Sequence, residues 1–279
     1  MSGTLFVVAT PIGNLEDLTP RARQTLAEVS LIAAEDTRHT GRLLMHIGCK
    51  TRLMALHDHN EEKVLGGIIA RLIDGDSVAL VSDAGTPLVS DPGFKLVREA
   101  HANDIAVSPI PGASAVTAAL SVAGIPTNRF CFEGFLPSKQ GSRRDSLERL
   151  GGETRTLVFY ESVHRIAESV ADMSEIFGAE RSAFLGRELS KMHEQCVQKT
   201  LGELSEQLCN GAIVGKGEFV LVVAGSTNEA ESPLEVDRLL KGLLPHLAAK
   251  DAARVAADAT GLKRNALYER LLQLKATDT

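Results

Sequence analysis

The residues point to an α/β fold in two units followed by a short helical tail, on three grounds. Through residues 1–125, short apolar runs alternate with amphipathic segments, a βαβ rhythm that implies a mostly parallel sheet. After Gly124-Ile125-Pro126-Thr127-Asn128 the alternation begins again. Beyond a polar linker, Asn228–Pro233, residues 234–279 carry helical signals and no strand signal.

The elements follow in order. Leu5–Ala9 reads as a strand, and Thr19-Pro20 as the cap and first turn of a helix running through Val29. Leu31–Ala34 is the next strand, leading through Glu35-Asp36-Thr37-Arg38 into a helix that ends near Gly48. Glu61–Ile73 is helical, because Val64, Leu65, Ile68, Ile69 and Leu72 recur near 3.6-residue spacing. Val78–Val81 is a strand, then a small-residue loop, then an amphipathic helix from Phe94, with Asp91-Pro92 expected as its N-cap and first-turn proline. Ile105–Val107 is a further strand, and Ser114 opens a small-residue helix that Gly124 and Pro126 end. In the second unit, Phe130–Phe135, Thr156–Tyr160, Ala183–Arg187 and Phe219–Val223 read as strands. The helix after Ser162 runs to Gly178, and Thr200 with Glu203 forms a capping box for another. In the tail, Asp251–Thr260 and Leu262–Leu274 read as helices around Gly261, the spacing of a helix-turn-helix. The expected units are therefore 1–125, 126–227 and 234–279.

Composition narrows the class. A chain of 279 residues favours two domains, each with its own core. No apolar run approaches the ~18 residues of a membrane span, and Leu5–Val8, with no basic segment before it, is expected to be a first strand and not a signal peptide. Cys49, Cys131, Cys196 and Cys209 stand apart with no C-x-x-C pair, which argues against a disulfide framework or a zinc site. The cytoplasm is the expected compartment. A net charge of −6 argues against a generally basic nucleic-acid binder and leaves room for a local patch.

The common nucleotide motifs are missing. The loop after the first strand reads Ala9-Thr10-Pro11-Ile12-Gly13-Asn14, with no G-x-G-x-x-G, and Gly211–Lys216 has the wrong spacing for a P-loop. No G-x-S-x-G elbow is present. Three other loops share a different chemistry: Thr10–Asn14, Ser82–Thr86 and Pro109–Ser114 are each rich in Gly, Pro and small hydroxyls and each follows a strand. A parallel sheet gathers such loops at its carboxyl edge, where ligands bind. Each alone fits an ordinary βα turn; three together, joined by Asp83, favour a binding site. Gly85 lets the backbone approach a ligand closely, and Asp83 suits ribose hydroxyls or a cation.

Five segments then stand in a specific order: Pro11–Thr19 (PIGNLEDLT), Glu35–Arg38 (EDTR), Ser82–Pro87 (SDAGTP), Pro111–Ala115 (PGASA) and Phe132–Pro137 (FEGFLP). In these the chain resembles the tetrapyrrole-methylase-like class of S-adenosylmethionine (SAM) enzymes, in its branch acting on small-subunit ribosomal RNA. The resemblance runs from about Leu5 to Gly225, and the helical tail resembles that branch's terminal helix-turn-helix. It implies two α/β domains of the tetrapyrrole methylase type, a homodimer, and SAM in the cleft between the domains. It also implies 2′-O-methylation of a cytidine ribose in the decoding region of 16S rRNA, with no membrane and no DNA partner. By the same resemblance, SAM contacts fall on Pro11 and Ile12, on Asp83, Gly85 and Thr86, and on Ser114 and Ala115. Second-domain contacts fall near Tyr160, Gly186 and Glu218. Tetrapyrrole-acting relatives carry Gly-Asp-Pro where this chain has Ser82-Asp83-Ala84, a departure that favours the RNA branch.

For such chemistry the enzyme must place a ribose oxygen in line with the methyl and help it lose a proton. Glu35, Asp36, Arg38, His57, Lys139, Arg187 and Glu188 lie on segments able to face the cleft, and Asp36, Arg38, Lys139 and Glu188 form the catalytic expectation. Asp36–Arg38 reads equally as a local ion pair or helix cap. The run His57–Glu62 resembles a metal site only superficially, since Asn60 caps the next helix and no distant ligands match; no metal is expected. Lys139, Arg143 and Arg144, read as a loop with Gly141 and Ser142, are either solvated charges or phosphate contacts. Lys263, Arg264 and Arg270 lie on the second tail helix, where Lys263 and Arg264 suit RNA docking and a solvated face is the plainer reading. Two other functions compete: a tetrapyrrole C-methyltransferase, disfavoured by the loop departure and the basic tail, and a SAM-sensing DNA-binding regulator.

Overall fold

The computed structural model describes residues 2–227, 233–260 and 262–277, so most of the expected linker (228–232) and the Gly261 turn lie outside the described residues. Five strands, β1 (Thr4–Val8), β2 (Leu31–Ala34), β3 (Leu53–Ala55), β4 (Val78–Val81) and β5 (Ala106–Ile110), form a first sheet in the order β3-β2-β4-β1-β5. Every pairing in it is parallel. Helices α1 (Pro20–Glu28), α2 (Thr37–His46), α3 (Glu61–Ile73), α4 (Phe94–Ala102) and α5 (Ala115–Val122) connect and follow these strands.

β2 and β4 read Leu-Ile-Ala-Ala and Val-Ala-Leu-Val because both faces of the sheet are covered, which leaves no position for a polar residue. Leu31 and Ala33 pack with Ile68, Leu72 and Leu96 from α3 and α4, while Ile32 and Ala34 pack with Ala22, Leu26 and Leu44 from α1 and α2. The period-two alternation of strand side chains thus serves two cores at once. β3 escapes sequence reading because it is three residues long at the sheet edge.

The second sheet is mixed. Strands β6 (Phe130–Phe135), β7 (Thr156–Glu161), β8 (Ser182–Arg187), β9 (Gln195–Thr200) and β10 (Phe219–Val223) run in the order β6-β7-β10-β8-β9. Only β6–β7 is parallel; β10 lies antiparallel to both β7 and β8, and β9 antiparallel to β8. β9 is a polar edge strand, which hides it from a hydrophobic pattern. Helices α6 (Gln140–Leu150), α7 (Ile166–Phe177) and α8 (Leu201–Cys209) complete this unit, and the Thr200–Glu203 capping box is present at α8. A further apolar cluster joins the two units: Ile12, Val116 and Leu120 pack with Val158, Phe184, Val220 and Val222.

Two expectations need correction here. The Lys139–Arg144 segment is not a loop: Lys139 is the N-cap of α6, and Arg143 and Arg144 lie within that helix. Asp91 does not cap α4 either. Gly93 holds that position with φ of 117°, and a Cβ there would press on Leu80 at 2.7 Å. The tail consists of α9 (Pro233–Leu243), α10 (Ala249–Thr260) and α11 (Arg264–Thr277) around a core of Val236, Leu240, Ala253, Ala256, Leu267 and Leu271. No helix among the described residues is long and apolar enough to cross a membrane.

Candidate functional site

Strands β4, β1 and β5 are neighbours, so their carboxyl-end loops meet, as the parallel pattern requires. Backbone bonds stitch the first two: Thr10 N–H donates to Gly85 O at 2.9 Å and Gly85 N–H donates to Thr10 O at 3.1 Å. Gly85 has φ of 81°, a conformation a side chain strains to adopt, so the glycine is required by the turn itself. Thr86 Oγ1 donates to Ala113 O at 3.2 Å and ties in the third loop. The fourth participant comes from the end of β2: Asp36 N–H donates to Asp83 Oδ1 at 3.0 Å, which fixes the direction of that carboxylate.

These loops form one wall of a chamber of about 460 Å³, within the ~300–1,000 Å³ typical of small-molecule sites. The opposite wall is Phe135, Tyr160–Val163 and Gly217–Val220 from the second unit. Tyr160 is held edge-on by Phe132 and Phe135, with ring centroids 4.9 and 5.5 Å away. Three carboxylates from the first unit line the chamber: Glu35, Asp83 and Asp91. Burial pushes Asp91 up to about 6, against a hydrogen bond with Ser82, and the Asp83 charge adds to the rise. Glu35 is also raised, first by burial and then by the charges of Asp91 and Asp83. Tyr160 is pushed up to about 12, mainly by burial. Such a concentration of negative charge among apolar walls suits a cationic ligand.

A second chamber of about 370 Å³ adjoins it and shares Ile12, Asp83, Ala84 and Glu218. Its other walls include Thr10, Pro11, Gly13, His39, Thr40, Arg42 and Lys191. Lys191 Nζ bridges Glu188 Oε1 at 2.9 Å and Glu218 Oε2 at 3.0 Å. Burial by itself raises the Glu188 carboxyl, but the Glu218 amide and the Lys191 ammonium outweigh it and hold the group below its usual range. The backbone is strained at both rims: Leu88 and Ser90 have φ of 71° on one side, and Glu188 and Ser190 have 51° and 66° on the other. Non-glycine residues in this region cost of order 1–3 kcal/mol each and cluster at functional sites.

Of the residues expected from the sequence, Ile12, Asp83, Gly85, Thr86, Ser114, Ala115, Tyr160 and Glu218 line the larger chamber, and Pro11 lines the smaller. Gly186 lines neither; it sits in β8 opposite Val220, and a Cβ there would crowd Phe184 and Leu189. Asp36, Arg38, Lys139 and Glu188 also line neither chamber. Asp36 caps α2 and holds Arg38 in a local ion pair at 2.7 Å. Glu188 acts on the site through Lys191 and Glu218.

Arg143 is corrected as an RNA contact. Its side chain is buried and donates to Asp172 Oδ2 at 2.7 Å, so no phosphate reaches it. Arg144 is committed to Glu175 at 2.7 Å and Asp172 at 3.2 Å. Lys263 and Arg264 are exposed at the start of α11, while Arg270 pairs with Asp237 at 2.6 Å. Sequence reasoning passed over Asp91, Phe135, Thr40, Arg42 and Lys191. Gly93 was the available signal for Asp91, since a glycine two residues on makes a later helix start; Arg42 and Lys191 carried no local signal.

The fold and the loop-built cleft define a class before they define a member. Residues 4–205 match the family of Tetrapyrrole (Corrin/Porphyrin) Methylases, and residues 230–275 match the RsmI C-terminal HTH domain. A uroporphyrin-III C-methyltransferase from Thermus thermophilus, solved with S-adenyl homocysteine, shares the fold with a TM-score of 0.55 at 16% identity, covering 80% of this chain and 97% of that one. The chain belongs to the ribosomal RNA small subunit methyltransferase I family. It is 54% identical to the Xylella fastidiosa (strain Temecula1) member over 95% of this chain and 98% of that protein. The Pseudomonas aeruginosa member is 52% identical over 98% of each.

Proposed function

We propose that this chain transfers the methyl group of SAM to the 2′-oxygen of a cytidine ribose in the decoding region of 16S rRNA, as a homodimer acting on the small ribosomal subunit. The observation that carries the reading is the chamber built by the β1, β4 and β5 loops. Its acidic lining and the glycine turn at Gly85 fit a compact ligand with a sulfonium, an ammonium and a ribose diol. When bound, SAM supplies a methyl already made electrophilic by its sulfonium.

Ile12, Gly85, Thr86, Ser114 and Ala115 would surround the cofactor with backbone and small side chains, and Asp83 would accept hydrogen bonds from its ribose or balance its charge. Tyr160 would close the second-domain wall. Holding both reactants in line supplies on the order of 7–11 kcal/mol in favourable cases, which makes positioning the main work of these residues. Asp83 and Glu218 line both chambers, which supports one of these carboxylates as acceptor of the proton that the ribose hydroxyl loses. Residues 1–125 and 126–227 would act as the two halves of the cleft, and 234–279 as a separately cored RNA-docking unit.

The test is transfer of a labelled methyl from SAM to small ribosomal subunits and to naked 16S rRNA, followed by mapping of the product. A single 2′-O-methylcytidine in the decoding region is expected. Label that enters a tetrapyrrole, or a base atom of the RNA, would overturn the reading.

A further inference from the structure

We propose that the smaller chamber is the acceptor-nucleotide subsite, taking one ribose with its phosphate while the larger chamber holds the cofactor; this rests on the methyl-transfer reading above. The two chambers differ in charge. Among the described residues the larger is lined by Glu35, Asp83, Asp91, Glu161 and Glu218 with no lysine or arginine, whereas the smaller adds His39, Arg42 and Lys191 to the shared Asp83 and Glu218, Lys191 being already paired with Glu218. SAM is cationic and RNA is anionic, so the acidic lining of the larger chamber favours the first, and Arg42 gives the smaller chamber a cation for the second.

Two features set this chamber apart from an ordinary basic surface. His39 and Arg42 are three apart on α2 and so share a helix face. Among the described residues neither is held in an ion pair, unlike Arg38 on the same helix or Arg144 on α6. The Arg42 charge is left for a ligand. Between His39 and Arg42 on α2 lies Thr40, which also lines the chamber and is only 2% exposed. Its hydroxyl has no hydrogen-bond partner among the described residues. Buried hydroxyls are rarely left unsatisfied in a folded interior, and an incoming ribose or phosphate oxygen would satisfy this one. The shared wall of Ile12, Asp83, Ala84 and Glu218 then brings the ribose oxygen and the methyl donor to a common boundary.

The test uses full-length enzyme carrying Arg42→Ala or Thr40→Val, with labelled SAM and small ribosomal subunits. Arg42→Ala is expected to leave SAM affinity by calorimetry unchanged and to raise KM for the subunit about tenfold or more, the effect of removing one charge-assisted hydrogen bond. Its log–log salt slope of RNA binding should fall by about 0.7–0.9. Thr40→Val should lower kcat/KM for the subunit with SAM affinity intact. Loss of SAM affinity in Arg42→Ala would place the cofactor in this chamber and overturn the assignment. An unchanged KM and salt slope would leave no nucleotide there and overturn it as well. A wild-type enzyme that methylates no ribosomal RNA would instead remove the functional reading itself, so the two failures are distinct.

Discussion

Helices α2 and α6 both carry arginines, and they use them in opposite ways. On α6, Arg143 is buried against Asp172, and Arg144 spans Asp172 and Glu175, so both charges are consumed by contacts with α7. On α2, Arg38 is consumed by Asp36, but Arg42 lies one turn further along at the lip of a chamber and enters no ion pair among the described residues. Charge in a sequence is therefore not yet charge available to a ligand. What decides is whether a neighbouring element brings an acid to it, as α7 does for α6.

The contrast is tested hardest at Arg143. Arg143→Ala removes one member of a buried pair, which characteristically costs about 3–5 kcal/mol because a charge is left without its partner. Thermal or urea unfolding should show that loss, while the fraction still folded binds RNA with an unchanged salt slope. A stable Arg143→Ala variant with weakened RNA binding would mean that α6 faces the substrate after all.

Asp83→Ala probes the other side, where charge is kept for a ligand. Losing one charge-assisted hydrogen bond should weaken SAM by roughly 1.5–3 kcal/mol, one to two decades in affinity, with the fold intact since Asp83 is in a loop. Calorimetry on a folded variant that shows full affinity would exclude Asp83 from the cofactor site.

Asp91 tests the same chamber through pH. Its folded value of about 6 lies above its ordinary 3.8, so between those values the folded chain holds a proton that the unfolded chain has released. Stability from this group is therefore greatest below pH 3.8 and declines as pH rises through about 6. Asp91→Asn should flatten that decline in melting temperature. SAM affinity should fall in wild type as pH drops below about 6, and less so in Asp91→Asn. A wild-type affinity that is flat across this range would show that the Asp91 charge does not reach the cofactor.

The mildest change should come from the tail. Lys263→Ala with Arg264→Ala should lower the log–log salt slope of RNA binding by about 0.7–0.9 for each phosphate no longer neutralised, with SAM binding unaffected. Their exposure at the start of α11, beside a core that closes on itself, makes them surface charges free of α6-like commitments among the described residues. An unchanged slope would place the docking surface elsewhere.

Periodic and local features could be read directly from the residues. Apolar runs named β2, β4 and β10 because a strand covered on both faces has no polar position to obscure it, and β1, β5, β6, β7 and β8 were legible as shorter or less buried runs. Capping chemistry located α1 at Thr19-Pro20 and α8 at Thr200. The three small-residue loops were legible too, since glycine and proline record backbone requirements locally. Which charges are free, and which residues face one another, was settled by packing between distant elements. Arg143 and Arg42 look alike in the chain, and it is the approach of α7 to α6 that neutralises the first. Asp91 read as a cap, but Gly93 takes that place and leaves the carboxylate to line the cleft. Lys191 meets Gly13 and Ser82 around one chamber although both lie far from it along the chain. No pattern with a period of two or 3.6 residues carries across such a separation, because periodicity records only what one element buries.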